Sequence, residues 1–157
     1  MRSASNLSEF SRQVVGVMPL LVREFAKRED NELTRGKISC PQLVALEHVS
    51  RQGRATVTEI ANILSVKASS ASVLLDRLFR EKMLVRESDS DDRRLVWLKS
   101  TPRGRKVVAQ IMVQKRRSIQ EIFSTLSASE RAQYLKVLLK LKTKILQSAI
   151  PLRRRRK

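Results

Sequence analysis

The chain has 157 residues, 33 Lys and Arg against 15 Asp and Glu, and a formal net charge of +18. That length suits one domain, or one domain with dimerising arms, and a 41% hydrophobic content is enough for a packed core. The Arg153-Arg154-Arg155-Arg156-Lys157 tail supplies five of those charges, so the body still carries +13 and calls for a polyanionic partner, nucleic acid first. Only 4% of residues are aromatic, which disfavours single-strand binding by base stacking. No apolar run is long enough to cross a membrane, and no segment joins basic charge to a broad lipid-facing stripe. The MRSASNLSEFSRQ start lacks a secretory apolar stretch, and a single cysteine suits a reducing cytoplasm, so a cytoplasmic, nucleoid-associated protein is expected.

The first predicted helix spans Leu7 to Lys27, with Leu7, Phe10, Val14, Val17, Leu21 and Phe25 at helical spacing. Gly16 and Pro19 predict a kink near Val15-Gly16, or two shorter helices. Glu29 to Lys37 reads as a polar loop. Ser39 caps the next helix, Pro41 fits its first turn, Leu43, Val44, Leu46 and Val49 form its stripe, and Gly53 ends it. Arg54 to Val57 could add an edge strand.

The segment from Thr56 to Lys99 reads as helix, turn, helix and hairpin. Thr58 can cap the first of these helices, Glu59 lies in its first turn, and Ile60, Ala61, Ile63 and Leu64 form the stripe. Ser65-Val66-Lys67 is the turn, with Val66 expected in the core. The second helix runs from about Ala68 to about Lys82 and buries Ala71, Leu74, Leu75 and Leu78. Its other face presents Ser69, Ser70, Ser72, Val73, Asp76, Arg77 and Arg80. Small serines let a helix enter a groove and reach phosphates or base edges, Val73 could meet a thymine methyl, and Arg77 could reach guanine or phosphate. Taken one at a time, the serines read more simply as caps and Arg77 as the partner of a nearby acid; the order of elements favours DNA. Leu84 to Glu87 and Leu95 to Lys99 read as two strands around the charged loop Ser88-Asp89-Ser90-Asp91-Asp92-Arg93-Arg94, a basic hairpin placed beside the helix-turn-helix.

Thr101 and Pro102 open a long helix to about Thr125, whose apolar residues are Val107, Val108, Ile111, Met112, Ile119, Ile122, Phe123 and Leu126. Ser127 and Glu130 stand at capping-box spacing before a last helix to about Ser148, whose stripe is Tyr134, Leu135, Val137, Leu138, Leu141, Ile145 and Leu146. These terminal helices carry more apolar surface than a small winged helix needs, which predicts a homodimer built from residues 1–37 and 101–150.

The residues Ser39-x-x-Gln42-Leu43-x-x-Leu46, Glu59-Ile60-Ala61-x-x-Leu64-x-Val66, Leu75-Asp76-Arg77-Leu78, the Leu84-Val85-Arg86 strand, the wing Asp89-x-x-Asp92-Arg93-Arg94 and Thr101-x-x-Gly104 resemble the MarR (multiple antibiotic resistance regulator) family. The resemblance covers about Ile38 to Gly104. It implies a mainly α (α+β) winged helix-turn-helix with N- and C-terminal dimerisation helices, one domain over 1–157 with its DNA-binding core at about 38–100 and a basic tail at 151–157. It implies a double-stranded-DNA-binding transcriptional regulator, expected to be a repressor on a pseudo-palindromic operator. Lys67, Ser69, Ser70, Ser72, Val73 and Arg77 would sit in the major groove, and Asp92, Arg93 and Arg94 in the wing, with Asp92 orienting Arg94 toward the minor groove. An effector pocket between the first helix, the Ser39 helix and the Thr101 helix is also implied, suited by charge to a small aromatic anion. Three positions depart from the family pattern: Lys82-Met83 stands where a glycine is usual, Ser90 where a proline is, and Ser100 where a leucine is. The alternatives are a charge-driven chromosome-associated binder of DNA or structured RNA, and a protein-interaction module.

Nothing points to an enzyme or a cofactor. His48 is the only histidine, the four glycines are scattered, and Asp89, Asp91 and Asp92 lack the spacing of a calcium loop. Cys40 lies in a first helical turn, where the dipole favours negative charge, which makes it a possible redox sensor; with no second cysteine, a small buried hydrophobe is the simpler expectation.

Overall fold

The structure is a computed structural model that describes residues 6–90, 92 and 95–148. Its elements are α1 (Leu7–Lys27), α2 (Cys40–Gln52), α3 (Val57–Leu64), α4 (Ala68–Arg80), β1 (Leu84–Ser88), β2 (Val96–Ser100), α5 (Pro102–Phe123) and α6 (Ala128–Ser148). The mainly helical class with one small hairpin is the expected one. The chain forms two compact units, Met1–Ser118 and Ile119–Lys157.

In the first unit the core is built from Ile38, Leu43, Leu46, Val49, Ala55, Ile60, Leu75, Leu78, Met83, Leu84, Leu98, Val107 and Ile111. Helix starts follow local chemistry. The Ser39 hydroxyl accepts from the Gln42 amide at 3.4 Å, and the Gln42 side chain accepts from the Ser39 amide at 2.8 Å. The Gln42 amide group also donates to the Leu74 carbonyl at 3.0 Å, tying the start of α2 to α4. Gly53 ends α2 at φ 81°, a left-handed value that glycine adopts without a Cβ clash.

Several expectations are corrected. The cap of α3 is Thr56, not Thr58: the extended Thr56 hydroxyl accepts from the Glu59 amide at 3.2 Å, and Glu59 accepts from the Thr56 amide at 2.6 Å. Val57 therefore begins a helix, and the expected edge strand reduces to one antiparallel bridge between Ala55 and Leu98. Val44, Ile63 and Val66 are exposed, because the buried faces of α2 and α3 turn Ala45, Leu46, Ile60 and Ala61 inward instead. The amide of Val66 bonds back to the Ala61 carbonyl at 2.9 Å, which turns the chain with its side chain outward. Helix α1 runs unbroken through Gly16 and Pro19, so the two-helix alternative fails. The polar loop after α1 is not simply solvated: Asn31 and Glu29 are buried, and Gln114 of α5 accepts from the Asn31 side chain at 2.7 Å and donates to the Asp30 carbonyl at 3.0 Å.

The end of α4 decides where the hairpin begins. Lys82 takes φ 55°, the Met83 amide reaches the Leu78 carbonyl at 2.9 Å, and the Lys82 amide reaches the Phe79 carbonyl at 2.9 Å. This is a Schellman stop, completed by burial of Leu78 and Met83. The lack of glycine thus leaves the helix end sharply set, with a lysine bearing the left-handed conformation. The Met83 carbonyl then accepts from the Thr101 amide at 3.0 Å. Gly104 faces that same carbonyl so closely that any Cβ would fall well inside van der Waals contact with it.

The second unit contains the α5–α6 turn and α6. Ser127 and Glu130 form the expected reciprocal cap, the Ser127 amide donating to Glu130 at 2.8 Å and the Glu130 amide to the Ser127 hydroxyl at 3.3 Å. The bond from the Ser127 amide, helped by its hydroxyl, holds the Glu130 carboxyl below its ordinary pKa. Phe123 and Tyr134 pack with ring centroids 5.1 Å apart.

Lys82→Gly should raise stability by about 1 kcal/mol, since it removes the left-handed penalty of a side chain; a urea midpoint that does not rise would contradict this account of the helix end. Gly104→Ala should cost about 1–3 kcal/mol or more by overpacking against a backbone oxygen, read in the same titration.

Candidate nucleic-acid interface

Helix α4 is anchored on one side and open on the other. Ala71, Leu75 and Leu78 are fully buried, Leu74 packs against the same core, and Val73 is 72% exposed. Lys67 is the N-cap residue and makes no side-chain cap, so among the described residues no cap bond meets the first amides of α4. The expectation that its serines merely cap the helix is therefore not met. Ser69 and Ser70 are exposed and their hydroxyls have no hydrogen-bond partner among the described residues, while Ser72 bonds back to the Ala68 carbonyl at 3.1 Å. Among the described residues, Arg77 does not pair with a neighbouring acid. Its guanidinium donates to the Gly36 carbonyl at 3.0 Å, which directs the side chain and leaves its other N–H groups for a ligand. Asp76 instead meets Arg86 of β1 at 3.6 Å, and Arg86 also lies over the Phe79 ring at 4.3 Å.

The hairpin pairs Leu84 with Ser100, Arg86 with Leu98 and Ser88 with Val96 in antiparallel register. Lys99 and Glu87 meet across it at 2.8 Å. Of the expected wing residues, Asp92 is exposed at the tip, where its amide donates to Asp89 at 3.2 Å and its carbonyl accepts from Leu95 at 2.9 Å. Arg93 and Arg94, with the Asp92–Arg94 pairing the resemblance implies, lie outside the described residues, as does Asp91.

A polar cluster that the sequence did not single out holds the hairpin. The Trp97 indole donates to Asp89 at 2.6 Å, Arg54 approaches Asp89 at 3.7 Å, and the Arg54 guanidinium stacks 4.0 Å from the Trp97 ring. With the Ala55 amide and carbonyl bonded to Leu98 at 3.1 and 2.7 Å, this cluster ties the wing to the chain between α2 and α3. Its members lie far apart in sequence, so only the charge of Asp89 and the aromatic content of Trp97 were available as signals.

An open groove of about 480 Å³ lies beside this cluster, lined by His48, Gln52, Arg54, Glu59, Asn62, Ile63 and Trp97. It belongs to α2, α3 and β2, and so differs from the pocket the resemblance implies. No group of His, Cys, Asp and Glu among the described residues could hold a metal ion. Cys40 is exposed at the start of α2 rather than buried. No helix among the described residues is long and apolar enough to cross a membrane.

Comparison with known proteins gives a consistent picture. Residues 38–96 match the model of the MarR family. The HTH-type transcriptional regulator YpoP of Bacillus subtilis is 29% identical over 135 residues, covering 84% of this chain and 96% of YpoP. The HTH-type transcriptional repressor MdtR of Bacillus subtilis is 27% identical over 100 residues, covering 64% of each chain. Among solved structures, a MarR family protein from Bacillus stearothermophilus superposes with a TM-score of 0.75 at 20% identity, over 93% of this chain and 99% of that one, which shows the shared fold.

Trp97→Phe keeps the ring under Arg54 but removes the bond to Asp89. It should lower stability by about 1.5–3 kcal/mol, the range for a hydrogen bond to a charged group. Urea unfolding followed by circular dichroism tests this, and an unchanged midpoint would show that the bond does not hold the wing.

Proposed function

We propose that this chain, whose residues 38–96 match the MarR family model, is a DNA-binding transcriptional regulator of that family, and that it binds a pseudo-palindromic duplex operator as a homodimer and acts there as a repressor. The observation that carries the reading is the outer face of α4: Ser69, Ser70 and Val73 stand exposed, with the hydroxyls unpartnered among the described residues, on a helix whose opposite face is locked into the core. Small residues at the start of a helix let its backbone approach base edges, and uncapped amides there favour a phosphate. Lys67, Ser69, Ser70, Ser72, Val73 and Arg77 read the major groove. Asp92, Arg93 and Arg94 serve the wing, Arg94 entering the minor groove. The name of MdtR supports the repressor role. The basic charge suits release by a small aromatic anion.

The homodimer is supported by exposed apolar faces. On α1, Leu7 is 78%, Phe10 54% and Val17 51% exposed, and on α6 Leu135, Val137, Leu141, Ile145 and Leu146 are all more than half exposed. Burying such faces against a second copy removes them from water, at roughly 25 cal/mol per Å² of apolar surface. Sedimentation at micromolar concentration should therefore give twice the chain mass, and a monomer at that concentration would remove the dimer from the reading.

The specific regulator and a charge-only binder share a steep salt dependence, so mutation must separate them. Ser70→Ala and Arg77→Ala should change base preference at defined positions, by about 1–3 kcal/mol for a bidentate contact. Arg94→Ala should weaken operator binding more than scrambled DNA. Deleting Arg153 to Lys157 should weaken both alike. Titrations of operator and scrambled duplex at fixed salt decide the matter, and equal losses on the two duplexes for every variant would leave only the charge-driven reading.

A further inference from the structure

From Arg131 to the C-terminus the chain holds ten basic residues and no acidic one. Elsewhere bases are widely matched with acids, from Arg12 with Glu9 through Arg35 with Asp30 and Lys99 with Glu87 to Lys115 with Glu29. In α6 the pattern stops. Arg131 is spent on the turn, donating to the Leu126 carbonyl at 2.5 Å and the Phe123 carbonyl at 3.3 Å, and Glu130 is spent on its cap. Lys136, Lys140 and Lys144 are exposed and have no ion-pair partner among the described residues.

These three lysines follow one another at a spacing of four residues, so they share one face of the helix in a row. Each step rises about 6 Å along the axis. The flanking positions on that face, Gln133 and Gln147, are polar and uncharged. Tyr134, Leu138, Leu141 and Ile145 occupy the opposite face, and Lys142 falls within the apolar arc. Like charges four residues apart repel and oppose the helix unless an outside anion neutralises them.

We propose that the Lys136–Lys140–Lys144 face of α6 is a second DNA contact, which takes the phosphate backbone of duplex DNA without regard to sequence. A lysine is a compact point charge on a flexible stem, suited to phosphate and indifferent to base identity. The lysine face carries no aromatic side chain, which removes the stacking platform a single strand would need. The apolar arc opposite, which a membrane surface would require, is the arc given above to the second copy; in this the inference rests on the proposed homodimer. The surface adds to the affinity for any duplex and leaves discrimination to α4 and the wing.

The test uses the full chain and a scrambled duplex, so that its outcome does not depend on whether an operator preference exists. Affinity is measured against salt concentration for the parent, K136Q/K140Q/K144Q, K140Q alone and K142Q. Each phosphate contact contributes a slope of about −0.9 in log affinity against log salt. The triple variant should flatten the slope by about 2.7 per chain and K140Q by about 0.9, with K142Q leaving it unchanged. Glutamine retains helix propensity. Circular dichroism and sedimentation identify any variant that fails to fold or pair, and K140Q then carries the test. A triple variant with the parent's slope, or a K142Q loss equal to that of K140Q, overturns the proposal, the latter by showing that net charge alone acts. Phosphatidylserine vesicles are titrated in parallel, and loss of vesicle binding with an unchanged duplex slope would assign the face to a membrane and overturn it as well. Loss of base preference in the Ser70 and Arg77 variants is read separately, so failure of the operator reading is distinguishable from failure of this one.

Discussion

The Met83 carbonyl is the point on which the first unit turns. The Schellman stop at Lys82 and Met83 ends α4, β1 leaves from Leu84, and β2 returns to pair Ser100 with Leu84. The same carbonyl accepts from the Thr101 amide, the Thr101 hydroxyl donates to the Lys82 carbonyl at 2.7 Å and accepts from the Gly104 amide at 3.0 Å, and Gly104 supplies the space that lets α5 approach. The helix proposed to read bases, the hairpin and the long helix are thus fixed to one another through a single peptide. Leu78, Met83 and Leu84 bury this junction, so water does not compete for its bonds.

Charge is distributed by function as well as by number. Around the core, side chains are matched: Glu29 with Lys115, Glu81 with Arg103, Asp76 with Arg86. Most of these pairs are solvent-exposed and add little to stability. Their effect is to confine the excess positive charge to positions without acids, including Lys67 at the open start of α4 and the lysine row of α6. A polyanion therefore meets a patterned surface rather than a uniform one. The Asp89–Trp97–Arg54 cluster has a different role. It holds the hairpin from its side, through the indole of Trp97 and the guanidinium of Arg54.

The sequence by itself determined whatever is settled within a few residues. The Ser39 cap, the Ser127–Glu130 cap, the glycine at the end of α2, the buried stripe of α4 and both strands were all legible, because each depends on partners no more than four positions away or on a simple periodicity. The choice of Thr58 over Thr56 failed within that same range, because both threonines have the right chemistry and only backbone conformation selects one. The resemblance over Ile38 to Gly104 extended the reading to the fold and to the exposed face of α4. Tertiary structure alone decided which apolar residues are core: Val44 and Ile63 satisfy the helical pattern and Val66 stands in the turn between two helices, yet all three face solvent, since which surface is covered depends on its neighbours. It also decided the long-range polar contacts, Gln114 with Asn31, Arg77 with Gly36 and Trp97 with Asp89, and that Lys82 would take the backbone conformation of a glycine. These bonds join groups whose separation along the chain carries no signature, and they form only after packing has removed the water that would otherwise satisfy them.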